Sequence, residues 1–89
     1  MPELSRFHGI VITMYPEPGA PHHHPHFHAR HAGLAAVYRN SPPMRLIGQI
    51  PGPQEELVLL WAQSHEQELT RNWTRLQQGK KALRIQPLP

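Results

Sequence analysis

The chain has 89 residues, no cysteine, 38% apolar and 17% charged side chains, and nine Lys and Arg against six acids for a formal net charge of +3. This length supports one domain over residues 1–89, burying only about 60% of the surface its unfolded chain exposes. The missing cysteines exclude a disulfide scaffold and a thiolate zinc centre, and the modest positive charge is compatible with an anionic partner without demanding one.

No apolar run approaches the ~20 residues that span a bilayer. The N-terminal stretch MPELSRFHGIVITMYPEP has no signal-peptide h-region or small-residue cleavage site. No membrane association and a cytoplasmic location are therefore expected.

Residues 7–15, FHGIVITMY, are β-branched and aromatic and are followed by Pro16, which predicts a first strand with His8, Ile10, Ile12 and Met14 on one face. A second strand is expected from His26, because Pro25 cannot donate to a ladder and is tolerated at a strand's beginning. Phe27, Ala29 and His31 then face one way, and His26, His28 and Arg30 the other. Ala32-Gly33 suits a tight hairpin into a third strand over residues 34–39. The cluster Asn40-Ser41-Pro42-Pro43 ends it, and residues 44–50, MRLIGQI, alternate as a fourth strand with only Ile47 out of step.

Pro51-Gly52-Pro53 then predicts one long helix, with Glu55 and Glu56 in a first turn where the macrodipole favours acids. Val58, Trp61, His65, Leu69, Trp73 and Leu76 step by three or four, the stripe that a helix lays on a sheet. Gly79 closes the helix, and the tail ALRIQPLP offers Leu83 and Ile85 on one face as a last strand. The expected class is α+β in the order β-β-β-β-α-β, a small antiparallel sheet of four to five strands packed against one long helix.

Six of the eight histidines lie within residues 20–31, APHHHPHFHARH. Strand residues two apart share a face and lie roughly 6 to 7 Å apart, so His26 and His28 make a bidentate metal arm, which His24 extends by one step. His65 is the fourth candidate ligand, with His8, His22, His23 and His31 as further alternatives. Imidazole and water suit a divalent transition metal, namely zinc, nickel, copper or iron(II), rather than calcium or magnesium. The competing reading is a solvated, proline-stiffened loop that picks up metal adventitiously. A proton-transfer pair needs two imidazoles in different environments, for which His28 and His65 are the candidates, with cleavage of RNA phosphodiesters as the fitting reaction. The plain reading of His65 is a core-edge ring hydrogen-bonded to a strand, Tyr15 or Tyr38. Arg71, Arg75, Lys80, Lys81 and Arg84 complement the helix dipole, and an RNA-binding patch there lacks visible interleaved aromatics.

Ser5-Arg6-Phe7, Gly9-Ile10-Val11-Ile12 with Met14-Tyr15, and Pro25-His26-Phe27-His28-Ala29 carry a pattern. So do Trp61, His65, Glu68, Leu69 and Asn72-Trp73 ahead of Gly79-Lys80 and Ile85-Gln86-Pro87-Leu88. Together they resemble a small prokaryotic family known as domain of unknown function 4160. The resemblance implies a curled antiparallel sheet against one long helix, no established activity, and a gene neighbourhood similar to toxin-antitoxin pairs, hence a small protein partner. The positions matching the family's motif are His26, His28, His65 and Arg6. The chain departs from the pattern at His22, His23 and His24, at Arg30-His31, and at His8.

The expected function is thus a histidine-based metal-binding module acting with a protein partner in a toxin-antitoxin-like pair. The alternatives are a ribonuclease-type toxin in which His28 and His65 trade protons while Arg6 or Arg30 steadies the phosphate, or an antitoxin without chemistry of its own.

Overall fold

A computed structural model describes residues 3–16 and 24–89. Five strands, β1 (Glu3–Phe7), β2 (Ile10–Thr13), β3 (His26–His31), β4 (Leu34–Asn40) and β5 (Pro43–Gly48), form one antiparallel sheet in chain order. Two helices follow, α1 (Gly52–Ser64) and α2 (Glu66–Gln77). The α+β class holds, but the order is β-β-β-β-β-α-α.

The stretch FHGIVITMY is not one strand. His8 and Gly9 have φ of 49° and 75° and are flanked by the pair Phe7↔Ile10, making a two-residue hairpin with both central residues left-handed. Ala32 and Gly33, at 50° and 83°, repeat that geometry between His31 and Leu34. Such turns twist with the strands they join. The histidine ahead of Gly9 hides the turn signal, so the expected fifth strand lies before Ile10 rather than at the tail.

The expected fourth strand also hides an irregularity. Val37 pairs with Ile47 and Tyr38 with Arg45, leaving Leu46 as an extra residue, which accounts for Ile47 falling out of alternation. Gly48 ends the strand at φ 78°, where a Cβ would stand 2.4 Å from the Ala35 carbonyl oxygen. Only glycine fits so close to β4.

The long helix breaks at His65, whose φ of −130° and ψ of 28° leave the helical region. Its N–H donates to the Ala62 carbonyl at 3.1 Å, and its own carbonyl accepts from Leu69 N–H at 2.9 Å, so α1 ends and α2 begins on one residue. Glu68, three residues on, accepts from His65 Nδ1 at 2.5 Å, a position from which acids hold helix starts. Val58, Trp61, Leu69 and Leu76 of the expected stripe are buried, together with Ala62 and Asn72. His65 and Trp73 are half-buried.

The tail runs beside β1 without becoming a strand. Ile85 N–H donates to the Leu4 carbonyl at 2.8 Å, and Trp61 Nε1 donates to the Gln86 carbonyl at 2.9 Å. Asn72 takes both backbone groups of Leu83, donating from Nδ2 to its carbonyl and accepting its N–H, each at 2.8 Å. A ladder would need those same two groups, which is why the expected last strand does not form.

The core lies between the helices and one sheet face. Leu4, Ile10, Ile12, Phe27 and Tyr38 meet Val58, Trp61 and Leu69, with Ile85 of the tail among them. Phe27 stacks on Tyr38 at 5.5 Å between ring centres and meets Trp61 edge-on at 5.9 Å. Glu55 accepts from the Tyr38 hydroxyl at 2.8 Å and lies 3.4 Å from Arg45 Nε, tying β4, β5 and α1 together. Among the described residues no helix is long and apolar enough to cross a membrane.

Candidate functional site on the open sheet face

Strand registry assigns the face turned away from α1. Phe27, Ala29 and their partners Tyr38, Ala36 and Ile12 form the core side. Alternation therefore sets His26, His28 and Arg30 on the other side, beside Thr13, Val37 and Arg39. This is the division expected from the sequence for β3.

His26 and His28 anchor a row of four rings. Tyr15 meets His28 edge-on at 4.9 Å, His28 and His26 are 5.7 Å apart, and His26 lies 4.9 Å from Trp73 of α2. His26 Nδ1 is 2.8 Å from the His24 carbonyl oxygen. A carbonyl only accepts, so this nitrogen carries a proton. The backbone of His24 thus orients the ring of His26. The apolar stripe expects Trp73 in the core, and Tyr15 is only one of three partners expected for His65, so neither flanking ring is anticipated from the sequence. The signal for Trp73 was its position at the edge of the apolar stripe.

Other expected site residues stand elsewhere. His65 packs on Trp61 at 5.5 Å and donates to Glu68, lining a depression of about 370 Å³ with Glu66 and Arg71 at the helix break. Its partner is Glu68 rather than Tyr15 or Tyr38. His31, on the core side of β3, donates from Nδ1 to the Gly9 carbonyl at 3.0 Å and links the two hairpins. His8 Nε2 lies 2.9 Å from a Pro89 oxygen. His22 and His23 lie outside the described residues. Among the described residues no three His, Cys, Asp or Glu side chains are grouped to hold a metal ion.

Arg6 is committed to Glu3, with Nη2 2.7 Å from Oε1. Arg84 Nη1 reaches the other oxygen of Glu3, also at 2.7 Å. The hydrogen bonds from Arg6 and then Arg84 hold the Glu3 carboxyl at a pKa of about 2, and Glu3 in turn raises that of Arg6. Arg30 is exposed, and Arg39 Nε donates to the Pro42 carbonyl at 3.2 Å. Beyond them β5 shows Met44, Leu46 and Ile47 at 46%, 44% and 69% exposure, an apolar margin on an otherwise cationic face.

These features define a small α+β protein: an antiparallel five-strand meander, one face closed by a broken helix, the other bearing histidines, aromatic rings and arginines. Residues 9–74 match the family described as Domain of unknown function (DUF4160), and the chain belongs to that family. No curated protein and no solved structure matches it.

Proposed function

We propose that the protein is a histidine-based binding module for a divalent transition metal, held by His26 and His28 with His24 and its tract supplying further ligands. The geometry of the pair carries the reading. Two imidazoles bound at about 2.1 Å to one tetrahedral ion have ring centres about 5 Å apart, close to the 5.7 Å between His26 and His28. The Nδ1–H bond to the His24 carbonyl is the outer contact that metal-binding histidines typically make, and it orients the ring. Zinc, nickel and copper are the ions suited to such a donor set. His65 is not required: it packs on Trp61 at the helix break, and among the described residues it is not grouped with His26 and His28 to hold a metal ion. A small protein partner belongs to the same proposal, supported by the exposed Met44, Leu46 and Ile47.

The test is the metal content of untagged protein by plasma mass spectrometry, with zinc and nickel titrations by calorimetry. About one equivalent per chain is expected, lost in the His26→Ala, His28→Ala double variant and retained in His65→Ala. Substoichiometric metal that the double variant leaves unchanged would overturn the proposal.

A further inference from the structure

Among the described residues the excess positive charge is unevenly placed. The open sheet face and the tail residue at its edge carry Arg6, Arg30, Arg39 and Arg84 against a single described carboxylate, Glu3. The rest of the described chain sets five cations against four carboxylates. Glu3 is already shared between Arg6 and Arg84, which leaves Arg30 and Arg39 without an acidic partner among the described residues. Both sit on the face of the ring row. Arg30 is two residues from His28 along β3, and Arg39 is the cross-strand partner of His26.

Arginines beside a line of aromatic edges are what a flexible polyanion with stackable bases requires. Guanidinium groups answer phosphates, and rings take bases. A duplex keeps its bases stacked on one another, so only an unpaired strand can use the rings. The helix C-terminus, with Lys80 and Lys81, has the charge, but no ring contact is found there among the described residues.

We infer that the open face of the sheet binds single-stranded nucleic acid, with Arg30 and Arg39 on phosphates and the row Tyr15, His28, His26 and Trp73 receiving bases. The contact needs no metal, so it stands or falls separately from the metal reading.

The experiment is fluorescence anisotropy of labelled single-stranded RNA and DNA 12-mers and a duplex of the same sequence, in EDTA, over a salt series. Single strands are expected to bind more tightly than the duplex. The Arg30→Ala, Arg39→Ala double variant should lose at least about tenfold in affinity and lower the slope of log K against log salt by about 1.4, at about 0.7 per phosphate contact. Arg30→Glu, at an exposed position, should lose more than Arg30→Ala, whereas Lys80→Ala, Lys81→Ala should stay within about twofold of the parent. Absence of binding, affinity equal for duplex and single strand, or affinity unchanged in the arginine variants would overturn the inference.

Discussion

His26 rests against Trp73, their ring centres 4.9 Å apart, joining the first residue of β3 to the third turn of α2. Trp61 of α1 packs instead on Phe27, the next residue of the same strand, whose side chain turns to the opposite face. Adjacent strand positions are thus read by tryptophans from two helices, and the break at His65 is what separates them. With α2 redirected, Leu69 brings its carbonyl to Asn40 Nδ2 at 3.2 Å, and the helix closes the end of the sheet where β3 begins and β4 finishes.

Removal of the Trp73 ring should loosen that closure. Trp73 is half-buried, so Trp73→Ala is expected to cost about 2 kcal/mol, below the 3 to 5 typical of a fully buried aromatic. Trp73→Phe, which keeps a ring against His26, should cost less than half as much. Urea denaturation followed by far-ultraviolet circular dichroism measures both, and a Trp73→Ala variant as stable as the parent would mean that the ring contact is idle.

Asn72 holds the tail more firmly than its polarity suggests. It is 2% exposed and satisfies both backbone groups of Leu83, so Asn72→Ala removes two hydrogen bonds and strands their partners. A loss of about 2 to 3 kcal/mol is expected. The amide of Ile85, which donates to Leu4, should exchange with solvent faster in the variant by the same free energy, as measured by hydrogen exchange. Unchanged protection at Ile85 would show that the tail is held by other contacts.

How much of this was legible in the residues depends on whether the signal was local. The β3–β4 hairpin could be read directly, since Ala32-Gly33 is flanked by clean alternation and the face of every β3 residue follows from it. Pro51-Gly52-Pro53 likewise marked the start of α1. His8-Gly9 was obscured because histidine is an unusual first residue for a left-handed pair, and the β-branched run behind it extends smoothly through the glycine. The helix break was invisible for a different reason: His65 fits the apolar stripe, and only its backbone, at φ −130° and ψ 28°, shows that one helix ends and the next begins there. Within the candidate site, His26 and His28 were legible as a same-face pair. Tyr15 and Trp73 were not, because their approach depends on where β2 and α2 end up in space.

Ala32 tests the hairpin geometry directly. At φ 50° its Cβ is crowded by the backbone in a way that glycine and asparagine tolerate better. Ala32→Asn, giving the Asn-Gly pair favoured by this turn, should stabilise the fold by about 0.5 to 1 kcal/mol and raise the melting temperature by several degrees. Ala32→Val should destabilise it, because a β-branched side chain resists this region. Calorimetric melting temperatures ranking Asn above Ala above Val are the expected outcome, and the reverse order would contradict a left-handed residue 32.

The pH limits of stability should trace to two residues, Glu3 on β1 and Tyr38 on β4. Glu3 has its carboxyl lowered to about 2 from an ordinary 4.5 by Arg6 and Arg84. A lowered carboxyl contributes stability that is present above the unfolded-state value and is lost as pH falls through the folded one. The loss should therefore run from about pH 4.5 toward 2, and Glu3→Gln should flatten it. Because the pair is solvent-exposed, 0.5 M salt should shrink the effect. Tyr38 behaves oppositely: burial, then the hydrogen bond to Glu55, raises its hydroxyl above the ordinary 10. The unfolded chain releases this proton near pH 10 while the folded one keeps it, so stability is intact below pH 10 and declines above it. Tyr38→Phe should be less stable at pH 7, since Glu55 loses its donor, yet show a shallower decline between pH 10 and 11. Urea midpoints across both ranges measure the two slopes, and a Tyr38→Phe variant that declines as steeply as the parent would place the alkaline weakness elsewhere.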